Sequence, residues 1–184
     1  MASRIARRIA KPMARQISRA PSPVIAYSVP WVTVALASIV PGWPLIAVVP
    51  IMPPLGFMTL LAWRQLRPGL LPVWAAVPLG IIDDLFNGQP FGCAIVLWSV
   101  TMIGLDIIEA RFPWRNFLTD WLVATGLIVA YLIAELLIAN RAGVGTTWTV
   151  ILPQMALSVI AYPIVGRVLS WLDRWRLARF RVID

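Results

Sequence analysis

The chain contains no histidine, a single cysteine and few charged residues, which make up only 13% of its 184 positions. Without histidine it cannot carry a Ser-His-Asp or Cys-His catalytic site, a histidine-based metal site or a histidine proton relay. Cys93 has no second cysteine with which to form an internal disulfide. A soluble domain carries about 25% charged residues, so this sequence has too little charge to cover a water-facing surface.

Apolar residues are abundant instead: they make up 60% of the chain and give a mean hydropathy of +0.81. Disorder is excluded as well, since it requires low hydrophobicity, and an integral membrane protein remains. Continuously apolar runs favour helices over a barrel, whose strands alternate apolar and polar residues. Six runs reach or approach the roughly 17–25 residues that cross a bilayer. They are Val24–Val40, Pro44–Ala62, Leu70–Phe86, Gly92–Ala110, Leu118–Ala139 and Trp148–Trp171.

The second run contains four prolines, Pro44, Pro50, Pro53 and Pro54. Each proline removes a helix hydrogen bond and distorts the helix, so a broken or re-entrant segment and a total of five helices remain an alternative. The overall prediction is an all-α integral membrane protein with about six transmembrane helices. Its polytopic domain covers residues 24–171, between basic tails at 1–23 and 172–184.

The Lys and Arg residues are divided unevenly between the two sides of the membrane in this predicted arrangement of helices. If the N-terminus is cytoplasmic, every cation except Arg141 falls on the cytoplasmic side. Cytoplasmic loops are enriched in Lys and Arg, so the sequence predicts that both chain ends are cytoplasmic. The same distribution explains the net charge of +8 without nucleic-acid binding.

Residues 4–19 form a basic amphipathic pattern. On a helical wheel their cations occupy an arc of about 120° and face a stripe of Ile and Met. This pattern predicts a helix lying on the inner leaflet, kinked at Pro12; the alternative is an irregular basic tail that only sets the topology. The cations predicted to contact membrane lipids are Arg4, Arg7, Arg8, Lys11, Arg15 and Arg19.

The first run also imitates a cleavable signal peptide, because a basic stretch and an apolar run precede Ala35-Leu36-Ala37. Cleavage after Ala37 would remove a presequence longer than the usual length of about 15–30 residues. We therefore expect the first helix to be retained.

Three carboxylates lie near the predicted outer face. A charge within a membrane segment is energetically costly, so each of them is expected to have a specific role. Asp83 and Asp84 end the third run and are expected to cap a turn, accept backbone N–H groups or pair with a partner's cation. Glu135, in the fifth run, is expected to turn outward to water or to bond a neighbouring helix.

Two further carboxylates, Asp106 and Glu109, share one face at the inner end of the fourth run. Arg111 and Arg115 follow them in the sequence, so local salt bridges are their expected role. Because Asp106 lies at the opposite membrane face from Asp83 and Asp84, these acids cannot act on one bond.

Small residues recur every four positions in the fifth run, at Gly126, Ala130 and Ala134. This spacing lets two membrane helices approach closely. Packing within the protein and binding of a partner are equally compatible with it.

Enzyme motifs are missing from the sequence. It has no glycine-rich phosphate loop with a lysine, no metal-carboxylate cluster of phosphotransferase type and no paired-Asp motif of intramembrane aspartyl proteases. We predict a protein without enzymatic activity, cofactor or metal.

The segment from residue 80 to residue 92 resembles a motif of the MreD family of rod-shape-determining proteins: Gly, three variable residues, Asp-Leu, then Gly-x-Pro-apolar-Gly. Gly88 and Pro90 predict a tight outer turn, and Gly92 is expected to let the next helix approach closely. Asp83 is an additional charge beside the motif. The matching residues are Gly80, Asp84, Leu85, Gly88, Pro90, Phe91 and Gly92. Chain length, helix number and the two basic tails extend the resemblance.

The resemblance implies a bacterial inner-membrane protein of the peptidoglycan elongation machinery that maintains cell shape and has no catalytic role. Members of this family act with the membrane-anchored protein MreC, together with MreB, RodA and a class B penicillin-binding transpeptidase. The family is similar in fold to the substrate-binding subunits of energy-coupling vitamin transporters, so such a subunit is the alternative. Those subunits often carry Ala-x-x-x-Ala on the first helix, a spacing that Ala26, Ala35 and Ala37 do not provide.

Overall fold

The computed structural model describes residues 23–42, 52–111, 116–143 and 148–177, and no strand occurs within these ranges. Short 3-10 helices follow the first α-helix, at Val40–Gly42, and precede the third, at Val73–Ala75. The basic residues between Arg4 and Arg19 lie outside the described residues, so the interfacial helix remains a prediction. The α-helices of the described ranges are α1 (Pro23–Ile39), α2 (Leu55–Leu66), α3 (Ala76–Phe86), α4 (Cys93–Arg111), α5 (Phe117–Arg141) and α6 (Trp148–Arg176).

Three of these helices, α4, α5 and α6, are long and apolar enough to cross a membrane, and α1 contains a shorter apolar helix over Ala26–Ile39. Their outward surfaces are apolar as well. On α4, for example, Val96, Val100 and Ile103 recur at helical spacing and are all more than half exposed. An apolar surface of this extent is suited to lipid or to another membrane protein rather than to water. The protein is an all-helical membrane protein, as the sequence predicts.

The second and third apolar runs do not form helices over their predicted lengths. The described helix α2 begins at Leu55, after Pro53 and Pro54, and continues to Leu66. Helix α3 begins at Ala76 rather than at residue 70. With 12 and 11 residues, these helices are about 18 and 16 Å long, compared with a hydrocarbon core of about 30 Å. A continuous helix over the whole of either run is therefore wrong. The non-helical residues 52–54 agree with the alternative of a broken second segment, because Pro53 and Pro54 lack the N–H that a helix interior requires.

Helix α2 is the centre of the fold. Every residue from Gly56 to Arg64 is buried, and the helix packs against α1, α5 and α6. Trp63, which lies near its C-terminal end, is fully buried, and its indole nitrogen donates to Thr33 Oγ1 of α1 at 2.8 Å. Because this short helix is surrounded by other helices, it needs no lipid-facing surface.

Helices that follow one another in the chain run in opposite directions, so their ends meet on two sides of the protein. On the side that we call the arginine end, Arg176 near the end of α6 donates to the carbonyl of Ala26 near the start of α1. On the same side, Gln65 of α2 donates to the carbonyl of Asp120 in the first turn of α5 at 2.9 Å. On the side that we call the Asp84 end, α3 ends next to the start of α4.

Helix α6 continues beyond the predicted domain boundary at residues 171 and 172. It ends at Arg176, and both Asp173 and Arg176 are buried. These residues belong to the packed helices rather than to a tail, because each of them binds a neighbouring element.

Candidate functional site

The segment from Gly80 to Gly92 joins α3 to α4, and Gly80 sets the distance between these helices. A Cβ atom added to Gly80 would lie 2.8 Å from Ile95 Cα and 2.9 Å from Ile95 N. Both are backbone atoms, so no side chain fits at this position. The close helix approach that the sequence predicts for this segment occurs at Gly80.

Asp84 caps the N-terminus of α4. Its buried carboxylate accepts the backbone N–H of Gly92 at 2.9 Å and that of Ala94 at 2.8 Å. The first N–H groups of a helix have no partner within the helix, and a carboxylate there also interacts favourably with the helix dipole. Among the roles expected for Asp84, accepting backbone N–H groups is confirmed.

Gly88, Pro90 and Gly92 shape the connection itself. Gly88 has φ +67° and Gly92 has φ +96°, a backbone region that favours glycine, and the carbonyl of Pro90 accepts the N–H of Cys93 at 3.0 Å. An added Cβ at Gly92 would meet nothing within 4 Å. The expectation that Gly92 lets the next helix approach is therefore wrong, and its positive φ is the reason for glycine at this position.

Hydrogen-bonded side chains and aromatic rings fill the interior beside this connection. Gln89 Nε2 donates to Glu135 Oε1 of α5 at 2.8 Å and to the Tyr131 hydroxyl at 3.3 Å. The ring of Tyr131 stacks on Phe57 of α2 with a centroid distance of 4.2 Å. Glu135 is thus bonded to the α3–α4 connection instead of turning outward. Within the described ranges, no three acidic or cysteine side chains are grouped so as to hold a metal ion.

Asp83, the neighbour of the capping residue, points to a different partner. It is buried, and its Oδ1 accepts from Asn87 Nδ2 at 2.8 Å. The same oxygen would lie 2.8 Å from a Cβ added to Gly56 of α2. Asp83 therefore packs against the start of α2 while Asp84 binds the start of α4.

At the arginine end, a buried cation pairs with the two carboxylates of α4. Arg64 of α2 forms an ion pair with Asp106 and a second one with Glu109 at 3.2 Å. Salt bridges at Asp106 and Glu109 are as predicted, and they include a cation from another helix, Arg64 of α2. The sequence gives little signal for this pairing, because spacing along one helix does not show which helix is its neighbour.

A second ionic network joins three helices at this end. Asp173 of α6 accepts from Arg67 at 3.1 Å and from Arg176 Nε at 2.8 Å. The Arg176 guanidinium also lies 5.3 Å from the centre of the Trp63 ring, a cation–π contact. Sequence reasoning assigned no role to Asp173, although an acidic residue in a basic tail is a visible signal.

The small-residue face of α5, which consists of Gly126, Ala130 and Ala134, points away from the other described helices. Gly126 and Ala130 are exposed and Ala134 is half-buried. An added Cβ at Gly126 would meet nothing within 4 Å. Helix α5 instead packs inward with larger residues such as Ile128 and Leu132. Of the two alternatives for this face, packing within the described part of the protein is therefore excluded at Gly126 and Ala130.

Comparison with known proteins gives no assignment: no family model matches the chain, and no curated protein or solved structure is significantly similar to it. The resemblance to the MreD family therefore rests on the residues from Gly80 to Gly92 and on the chain-wide helix and charge pattern.

Proposed function

We propose that this protein is a non-enzymatic scaffold of the MreD type in the bacterial cell-wall elongation machinery. In this proposal it resides in the inner membrane, crosses it six times with both chain ends in the cytoplasm, and helps to maintain cell shape. It does so by binding the membrane helix of an MreC-like partner, and through that partner it associates with MreB, RodA and a class B penicillin-binding transpeptidase.

The observation that carries the proposal is the outward orientation of the α5 small-residue face. In lipid there is no hydrophobic driving force between helices, so association depends on close backbone approach, which small residues permit. Gly126 and Ala130 provide such a surface where no described helix uses it. A partner's transmembrane helix is an occupant of matching shape and chemistry.

The Gly80–Gly92 segment supports the proposal in a second way. Gly80 and Asp84 hold the segment against α4, and the connection exposes apolar side chains of the motif. Leu85 is 64% exposed and Phe91 is 72% exposed. An apolar surface at a helix connection is suited to protein contact, so the motif residues divide into those that hold the connection and those that a partner can touch.

A vitamin-type substrate-binding subunit remains the alternative function. Such a protein needs a polar cavity that opens at the outer face. The interior next to Asp83 is occupied by the Phe57–Tyr131 stack and by the Gln89–Glu135 hydrogen bond, which favours the scaffold.

The orientation in this proposal follows from the charges. Arg64, Arg67 and Arg176 lie at the arginine end, together with the start of α1. The cytoplasmic enrichment of Lys and Arg assigns this end to the cytoplasm.

The proposal is tested by purifying the tagged, full-length protein from its native membranes in mild detergent and identifying the proteins that accompany it by mass spectrometry. An MreC-like protein in stoichiometric amount is expected. Tight binding of a vitamin-sized ligand by the purified protein, with no partner recovered, would establish the transporter alternative instead.

A further inference from the structure

A cavity of about 400 Å³ opens between α2, α5 and α6 at the arginine end. Its size falls within the range of about 300–1,000 Å³ that is usual for small-molecule sites. Gly166 of α6 contributes to its opening, because a Cβ added there would meet nothing within 4 Å. None of the roles described above uses this space.

One wall of the cavity is cationic. Arg167 and Arg174 of α6 both line it and both are exposed. They are seven residues apart, which places them two turns apart on one face of the helix, roughly 10 Å along its axis. Ser170 lies between them and also lines the cavity. The Ser170 hydroxyl donates to the Gly166 carbonyl at 2.7 Å, so the two guanidinium groups are the donors for a ligand on this wall. They form a site suited to a phosphate, which arginine binds through several hydrogen bonds.

The facing wall is fixed by hydrogen bonds. The Tyr162 hydroxyl donates to Gln65 Oε1 at 2.6 Å, and Gln65 Nε2 donates to the Asp120 carbonyl oxygen. Among the described residues that line the cavity, Asp120 contributes the one carboxylate, in the first turn of α5, where the helix dipole favours a negative charge. The described lining therefore has two cations and one anion, a net positive charge.

The remaining lining is apolar and continues onto the lipid-facing surface. Leu66, Phe117 and Trp121 line the cavity, and Phe117 is 70% exposed. On α6, Ile164 is 65% exposed beside the cavity residue Pro163. A ligand that binds the arginines is therefore in contact with an apolar surface that runs toward the hydrocarbon.

We infer that this cavity binds the phosphate headgroup of an anionic phospholipid from the leaflet at the arginine end, with an acyl chain lying along the apolar surface of α5 and α6. A water-soluble phosphate shares the headgroup chemistry but leaves the apolar wall unused. A basic pocket between membrane helices is a recognised form of headgroup site. The inference does not depend on the scaffold proposal, because it involves neither the α5 small-residue face nor the Gly80–Gly92 segment.

Native mass spectrometry of the purified full-length protein, titrated with dioleoyl phosphatidylglycerol in mild detergent, tests the inference. One phosphatidylglycerol is expected to bind at least tenfold more tightly than phosphatidylcholine. The double variant R167Q/R174Q is expected to weaken the first binding step about 30-fold, because each arginine near an anionic lipid contributes about fivefold. Arg111→Gln removes an exposed cation that does not line the cavity, and this control should change binding less than about twofold.

A second variant fills the cavity without altering charge. Gly166→Phe places a ring in the open space and should abolish the selective site. Gly104→Phe is its matched control, since a Cβ added at Gly104 also meets nothing within 4 Å and Gly104 does not line the cavity. The inference is overturned if R167Q/R174Q and Gly166→Phe both bind phosphatidylglycerol as the unmodified protein does. It is equally overturned if phosphatidylcholine binds as tightly, or if glycerol phosphate binds as tightly as the lipid.

Discussion

The indole nitrogen of Trp121 in α5 donates a hydrogen bond to the carbonyl oxygen of Val159 in α6, at 3.3 Å. In a regular helix that carbonyl would accept the N–H of residue 163, but residue 163 is a proline and has none. The Ala26 carbonyl, which accepts from Arg176, likewise lies four residues before a proline, Pro30 in α1. In both cases a donor from another helix satisfies a carbonyl that proline leaves free, and so joins the two helices.

This relationship predicts a dependence between two substitutions. Trp121→Phe alone should lower the free energy of unfolding by about 1–3 kcal/mol, because it leaves a buried carbonyl without a donor. In a Pro163→Ala background the N–H of residue 163 is restored, and the same change should cost clearly less. Thermal unfolding in detergent is measured for the unmodified protein, the two single variants and the double variant. The four values give the coupling energy between the two substitutions. Equal costs in both backgrounds would show that the indole hydrogen bond does not compensate for the proline.

Asp84→Ala should destabilise the protein by about 1–3 kcal/mol, because the N–H groups of Gly92 and Ala94 would lose their acceptor. Asp84→Asn keeps one carbonyl acceptor and should cost less than Asp84→Ala. Leu85→Ala is a suitable control, since Leu85 is 64% exposed in the adjacent position. The capping role is wrong if Asp84→Ala unfolds at the same temperature as Leu85→Ala.

The damage caused by substituting a glycine should depend on the space around it and on its backbone angle φ. Gly80→Leu should prevent folding or accumulation, because its Cβ would lie within 3 Å of the Ile95 backbone. Gly92→Leu has space but requires φ +96°, a cost of about 1–3 kcal/mol, and it should still impair partner recovery more than Asp83→Asn does. Membrane abundance and partner recovery in one strain background provide the measurement. Full tolerance of Gly80→Leu would show that α3 and α4 are not held at this distance.

The long helices were predictable because their apolar runs are little interrupted. The predicted start or end of α4, α5 and α6 agrees with the structure to within one or two residues, apart from the end of α6. There, residues 172–184 were predicted to be a basic tail, whereas Asp173 and Arg176 form an ion pair and are buried within the packed helices. For α2 and α3, hydropathy counted described residues before Leu55 and Ala76 as helix, because an apolar run does not show where the backbone leaves the helix.

The sequence named candidate residues for the site but could not show their contacts. Motif and spacing identified Gly80, Asp84, Gly126 and Ala130. In a membrane protein both the buried and the lipid-facing sides of a helix are apolar, so periodicity could not show that Gly126 faces outward. The partner of Asp106, Arg64, depends on which helices are neighbours, and that information emerges only from the fold.

The predicted topology can be tested by labelling single cysteines in intact cells, in a Cys93→Ser background. Phe91→Cys and Asn140→Cys, at two exposed sites, should react with a membrane-impermeant maleimide from the periplasm. Pro68→Cys, which is also exposed, should react only after the membrane is opened, because Arg64 and Arg67 place that connection at the cytoplasmic side. Labelling of residue 68 from the periplasm would show that the orientation is opposite to the predicted one.

The most direct test of the scaffold proposal is recovery of the MreC-like partner with the Ala130→Phe variant. Because Ala130 is exposed on α5, the variant should accumulate in the membrane at the normal level while partner recovery falls at least tenfold, a loss equivalent to about 1.4 kcal/mol of binding energy. Ala124→Phe, in the buried face of the same helix, should instead reduce accumulation through overpacking. Undiminished partner recovery with Ala130→Phe would contradict binding through the α5 small-residue face.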